Sequence, residues 1–242
     1  MKMIPTNEFP GLSESECIEI QNALAKRLSQ TCPLALDEIR TVAGVDLAYW
    51  SGKAEYAVCC IVMIDVKSRK ITEKRWSAGR VDFPYIPGCL AFRELPLVVK
   101  TAAKLVRKPD VYIFDGNGIL HPRRMGLAAH AAFYLETPTI GIAKSYFRVD
   151  GAEFSEPDLE KGSVSDITIP QNGEEVLGRA VRTQSGVKPV YVSVGNHMDI
   201  DMAVRLALEL TDKESRVPIP TRYPDLETHI MRKELQNNPE FN

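Results

Sequence analysis

The chain has 242 residues, 44% of them hydrophobic and 26% charged, which supplies apolar side chain for a substantial core and excludes a disordered protein. Its formal net charge of −2 excludes a molecule whose whole surface attracts polyanions, so contact with nucleic acid must rest on cations gathered locally. Five cysteines, Cys17, Cys32, Cys59, Cys60 and Cys89, form no C-x-x-C pair and argue against a zinc site or a disulfide framework.

The first residues, MKMIPTNEFPGL, lack an apolar signal core, and no segment reaches membrane-spanning length; a soluble, cytoplasmic protein is expected. Ser13 followed by Glu16 predicts a capping box, and Cys17, Ile20, Leu24 and Leu28 then repeat at helical spacing. Residues 42–49, 56–66 and 70–77 read as three strands with short connections, which favours an antiparallel meander. Two prolines and two glycines mark 79–90 as an irregular exposed loop. A helix should follow, with Leu95, Val98, Val99, Ala102 and Val106 on its buried stripe and Pro96 in its first turn.

DVYIFD predicts a buried strand ending at Asp115, before the turn Gly116-Asn117-Gly118. Residues 126–136 read as a helix, 137–143 as a strand, and the polar stretch 150–174 as a surface excursion. Strands near 175–183 and 188–194 and a helix at 199–211 follow. VPIPTRYP reads as a turn region, with a last helix from about Asp225. No repeat or linker divides the chain, so one α/β domain over 1–242 is expected, a mixed β-sheet with helices on its faces.

Three acids stand out. Asp46 interrupts the apolar run V-A-G-V-D-L-A, where a carboxylate is expensive unless it binds a cation or receives hydrogen bonds; the plain alternative is a strand-end side chain reaching solvent. Asp115 closes an apolar strand at the carboxyl edge of a sheet, where open α/β folds hold ligands, although Asp before Gly is also a common turn residue. Glu94, expected in the first turn of its helix, suits the helix dipole as well as a functional site. Carboxylates grouped on a rigid sheet suit Mg²⁺, which prefers oxygen ligands and can support phosphodiester hydrolysis.

Four strings surround these acids: VAGVDLAY, YIPGCLAFRE, DGNGILHPRRMGLAAH and IGIAKS. In this order they resemble the endonuclease V family, deoxyinosine-directed nucleases of ribonuclease H-like fold, and the likeness runs from about residue 40 to PTRYPD near 225. The resemblance implies metal-binding and catalytic acids at Asp46, Glu94 and Asp115, an active-site lysine at Lys144, and a late acidic position at Asp225. It implies Mg²⁺, with Mn²⁺ as a substitute, and cleavage of the second phosphodiester 3′ to deoxyinosine in DNA repair, leaving 3′-hydroxyl and 5′-phosphate ends. Pro84, Tyr85, Ile86 and Pro87 match a strand-separating wedge, and rigid prolines presenting an aromatic ring suit insertion between bases. Gly88, Leu90, Gly118, His121, Gly126 and Leu127 match a lesion pocket, where glycines permit close backbone approach to an extruded base.

His121 reads either as a phosphate or near-metal contact or as a structural residue, and His130 as structural. Arg93, Arg123 and Arg124 read as a local cationic patch for a nucleic-acid backbone. The chain departs from the family pattern at Ala132, Asn196, Ile219 and Pro224, and none of these removes an expected metal ligand. The partner implied is DNA containing deoxyinosine, with inosine-containing RNA left open, and a monomer is expected. Two competing readings remain: a nucleic-acid-binding module without catalysis, and a related nuclease acting on junctions or RNA–DNA hybrids.

Overall fold

The Ser13 hydroxyl accepts from the Glu16 N–H at 3.4 Å while the Glu16 carboxylate accepts from the Ser13 N–H at 2.8 Å. This reciprocal cap stabilises by about 1 kcal/mol and begins α1 (Glu14–Ala25), which buries Cys17, Ile20 and Leu24; Leu28 lies beyond its end. The structure is a computed structural model and describes residues 3–172, 175–238 and 241.

The long apolar runs form β1 (Thr41–Ser51), β2 (Glu55–Asp65) and β3 (Ile71–Arg80), paired as the expected antiparallel meander. After α2 (Leu90–Ala102), β4 (Val111–Phe114) returns beside β1 in parallel, with Val42 opposite Val111 and Val45 opposite Phe114. Then come α3 (Leu127–Leu135) and β5 (Thr139–Ala143), parallel to β4. Next follow β6 (Val164–Ile169), β7 (Glu175–Val181), β8 (Val190–Val194), α4 (Ile200–Glu209) and α5 (Ile219–Leu235). The result is an eight-stranded mixed sheet in the order β3-β2-β1-β4-β5-β8-β7-β6.

Alternation along β1 sends its side chains to two cores. Ala43 and Val45 join Cys59, Ile61, Phe92, Leu95 and Ala128 beneath α1, α2 and α3. Val42 joins Val62, Ile113, Ile140, Val192 and Val204 on the opposite face, with α4 and the start of α5. Gly44 is where α5 touches the sheet: a Cβ there would lie 1.6 Å from the Pro220 carbonyl oxygen, so only glycine admits the helix at this depth.

Several boundaries differ from the sequence reading. α2 begins at Leu90, so Glu94 is its fifth residue, past the first turn, and Pro96 lies in the helix interior. Packing of the buried face outweighs the missing proline N–H. The helix stops at Ala102, and Val106 is 76% exposed rather than part of the stripe. α5 starts at Ile219, six residues before the expected start, because Pro220 sits in its first turn, where a missing N–H does no harm. The polar stretch 150–174 is not all excursion, since it contributes the edge strand β6; residues 173 and 174 lie outside the described residues. No helix among the described residues is long and apolar enough to cross a membrane.

Candidate active site

Asp46 is the sixth residue of β1, not a strand-end residue. The parallel ladder explains its company. The Asp115 N–H continues past β4 to donate to the Val45 carbonyl at 3.3 Å, which sets Asp115 beside Asp46 across two adjacent strands. Lys144 follows β5 in the same way, and its Nζ lies 2.7 Å from Asp115 Oδ2. α5 crosses this edge and adds Asp225, whose Oδ1 is 3.3 Å from Lys144 Nζ. Thr228, one turn further along α5, donates its hydroxyl to Asp46 Oδ2 at 2.9 Å and is itself fully buried.

Oxygens of Asp46, Asp115 and Asp225 all lie within 4.8 Å of one another. Glu94 stands outside that group, held by a hydrogen bond from the Tyr49 hydroxyl at 2.8 Å. The sequence reading groups Glu94 with the two aspartates and gives Asp225 only as a late acidic position near the start of the last helix; the geometry puts Asp225 in the group. Asp225 is the seventh residue of α5 and caps nothing.

Electrostatics set the demand of this cluster. Two ionised carboxylates at that separation repel by about 3–4 kcal/mol at an effective dielectric of about 20, and Lys144 supplies one positive charge against them. Burial, then repulsion from Asp115, pushes the Asp46 carboxyl up to about 6. Burial pushes Glu94 up to about 8 against the opposing Tyr49 hydrogen bond. Asp115 is also raised, by burial, with Lys144 working the other way. Burial works against the Lys144 charge, but Asp115 and Asp225 outweigh it and hold the ammonium above the usual lysine range. An all-oxygen donor set this short of positive charge fits a hard divalent cation.

Beside the acids lies a cleft of about 220 Å³, lined by Tyr85, Gly88, Leu90, Ala91, Gly116, Asn117, His121, Met125, Gly126, Leu127 and Phe147. It begins where the acids end, since Gly116 and Asn117 directly follow Asp115. Tyr85 is 70% exposed and does not pack back on the core. Pro84 and Pro87 are exposed with it, while Ile86 turns inward against the first core cluster and anchors the loop. Gly88 sits at φ +77°, the left-handed region that favours glycine.

The family model described as Endonuclease V matches residues 22–226 of the chain. The chain belongs to the endonuclease V family. It is 46% identical to Endonuclease V of Bacillus subtilis, over 98% of this chain and 99% of that one. Identity is likewise 46% to Endonuclease V of Clostridium acetobutylicum, over 97% and 100%. The crystal structure of the Bacillus subtilis protein superposes with a TM-score of 0.91, covering 98% of this chain and 100% of that chain. Endonuclease V of Ciona intestinalis, solved with a 24mer DNA containing an inosine followed by a ribo-adenosine, gives 0.82 at 26% identity, over 91% and 98%. The fold is therefore the ribonuclease H-like one expected, and the protein is an endonuclease.

Within this site, several side chains have duties other than those expected. Gly118 is buried and is not part of the cleft lining; a Cβ there would meet the Val194 carbonyl oxygen at 2.0 Å, so the glycine serves packing against β8. His121 does line the cleft, but its ring is committed. Nδ1 faces the N–H groups of Arg123 and Met125 at 3.2 and 3.4 Å, and Nε2 lies 3.1 Å from the Gly88 carbonyl. That pattern requires the neutral Nε2–H tautomer, and burial lowers its pKa to about 4. His130 is buried among Phe9, Phe92 and Tyr134, with burial lowering it to about 3.

The arginines of the expected cationic patch are drawn into contacts within the protein. Arg93 is 8% exposed, donates to the Phe83 carbonyl at 2.7 Å, pairs with Glu55 and lies over the Tyr49 ring at 4.9 Å. Arg124 pairs with Glu175, and Arg123 is bound up in the loop behind the cleft. Phe147, Tyr49 and Thr228 went unnoticed in the sequence. Phe147 lies three residues after Lys144, 40% exposed, with its ring parallel to His121 at a centroid distance of 6.1 Å. An aromatic so soon after IGIAK was the available signal for it; Tyr49 and Thr228 offered none.

Proposed function

We propose that this member of the endonuclease V family is a Mg²⁺-dependent enzyme of DNA repair that recognises deoxyinosine and hydrolyses the second phosphodiester on its 3′ side, leaving 3′-hydroxyl and 5′-phosphate ends. The observation that carries the reading is the continuity of the acidic cluster with the cleft through Asp115, Gly116 and Asn117. At about 220 Å³ the cleft is smaller than the roughly 300–1,000 Å³ of ordinary ligand pockets, which suits a single flat base rather than a larger ligand.

Asp46, Asp115 and Asp225 would hold the metal, with Glu94 completing its surroundings or orienting the attacking water. When bound, a divalent cation there supplies Lewis acidity and a more acidic water. Lys144 offers a point cation to the phosphate or to charge developing at the cleaved bond. Tyr85 stacks where the base is removed and Phe147 closes the side of the cleft. The chain acts as one domain and as a monomer, in the cytoplasm, with Mn²⁺ able to replace Mg²⁺. Inosine-containing RNA is a second substrate reading, favoured by the ribonucleotide beside the inosine in the strand bound to the Ciona protein.

The test is cleavage with Mg²⁺, and with EDTA, of matched strands carrying deoxyinosine, deoxyadenosine, or inosine in RNA, alongside branched DNA, with the ends mapped. Preference for branched DNA over the inosine strands would refute the proposal. Tyr85→Ala should weaken inosine-strand binding by about tenfold, the scale of one lost base–aromatic stack, with Mg²⁺ affinity unchanged because the side chain is 70% exposed and belongs to the cleft rather than the acidic cluster. Titration of both ligands against the variant checks this.

Metal and protons should compete. Asp46 and Glu94 are raised from 3.8 and 4.5 to about 6 and about 8. The folded metal-free protein thus keeps protons that the unfolded chain releases, and its stability falls as pH rises from about 4 through about 8. Metal binding displaces those protons, so the rise in Tm on adding Mg²⁺ should grow with pH over that range. Melting in Mg²⁺ and in EDTA across the range measures it; a shift that shrinks as pH rises would contradict this account.

A further inference from the structure

Gln21 belongs to α1, outside every motif that forms the cleft, yet it is fully buried and both ends of its amide are bonded. Nε2 donates to the Gly88 carbonyl at 2.9 Å and to the Met125 carbonyl at 3.3 Å, while Oε1 accepts from Arg123 Nε at 2.6 Å. Its orientation is unambiguous, because a flipped amide would set oxygen against two carbonyls and an NH₂ group against a guanidinium N–H. Gly88 and Met125 stand on different walls of the cleft, one before α2 and the other before α3. Arg123 closes the ring by donating to the same Gly88 carbonyl at 2.9 Å, and a Cβ at Gly88 would come within 2.7 Å of that guanidinium.

We infer that Gln21 is the positioning residue that sets the separation of the two cleft walls, and through it the discrimination of the enzyme between a deaminated base and an ordinary one. The inference rests on the proposed reading of the cleft as a base pocket. Gln21 touches no substrate; it acts through the backbone of Gly88 and Met125. Both are loop residues, so neither wall is fixed by a helix or strand ladder at the point of contact. With the clip removed, the Met125 carbonyl loses its side-chain partner, and the two walls stay joined only by the His121 and Arg123 contacts to the Gly88 carbonyl, without the anchor to α1. A pocket of variable width admits wrong bases and holds the right one less well.

The probe is a pair of oligonucleotides differing only in deoxyinosine or deoxyadenosine, cut with Mg²⁺ by wild type, Gln21→Met and Gln21→Glu. Gln21→Met keeps the volume without the hydrogen bonds. Gln21→Glu keeps a partner for Arg123 but loses both donors, and serves where the methionine variant folds poorly. Each should lower the ratio of kcat/KM values for the two strands by about tenfold, the scale set by buried polar groups left unpaired, chiefly through KM on the inosine strand. A loss of folded protein would lower both rates alike and leave the ratio unchanged. A wild-type ratio in both variants overturns this inference alone; a wild type without preference for inosine overturns the reading of the cleft together with it.

Discussion

Asp46→Asn should leave a protein that binds its inosine strand and does not cut it. Turnover should fall by about two to three orders of magnitude, the scale of losing one preorganised charge-stabilising group, while substrate affinity in the presence of metal drops little. The isosteric amide can still accept from Thr228, so the local geometry survives. In EDTA the variant should melt no lower than wild type, because removing one of three carboxylates crowded within 4.8 Å relieves their repulsion. Single-turnover cleavage and melting in EDTA test the two halves separately. Mg²⁺-dependent cutting at the wild-type rate would show that the metal lies elsewhere.

Lys144→Met should lose activity with the opposite effect on stability. Its ammonium lies between Asp115 and Asp225, at 2.7 and 3.3 Å, and is the one lysine or arginine charge paired with the cluster among the described residues. Single-turnover cleavage should slow by about two to three orders of magnitude. In EDTA the variant should melt below wild type, since two neighbouring carboxylates lose the charge that offsets them. Added Mg²⁺ should recover part of that melting temperature and little of the rate. A variant that cut normally, or that melted higher in EDTA, would remove Lys144 from the proposed mechanism.

Those two variants rest on residues that the sequence disclosed unequally. Asp46 and Asp115 were conspicuous as carboxylates in apolar runs, a physical anomaly visible without any relative. Glu94 was singled out but stayed ambiguous, because a glutamate early in a helix is ordinary by itself, and Lys144 and Asp225 came only through resemblance. The meander and α1 were legible because long apolar runs and a capping box are local signals. Two prolines misled: Pro96 and Pro224 both lie inside helices whose starts were placed too late. The strand β6 was missed because an edge strand half open to water carries little of the apolar pattern. Tyr49, Thr228 and Gln21 act through contacts 45, 182 and 67 residues away, to Glu94, Asp46 and Gly88. Separations of that kind leave no mark in local spacing.

The late position of α5 in the chain has a further consequence. Asp225 and Thr228 reach the site on the last helix of the fold, after all eight strands have been laid down. A chain that stopped short of α5 would lack the third carboxylate of the cluster, the hydroxyl bonded to Asp46, and the helix that packs on Gly44.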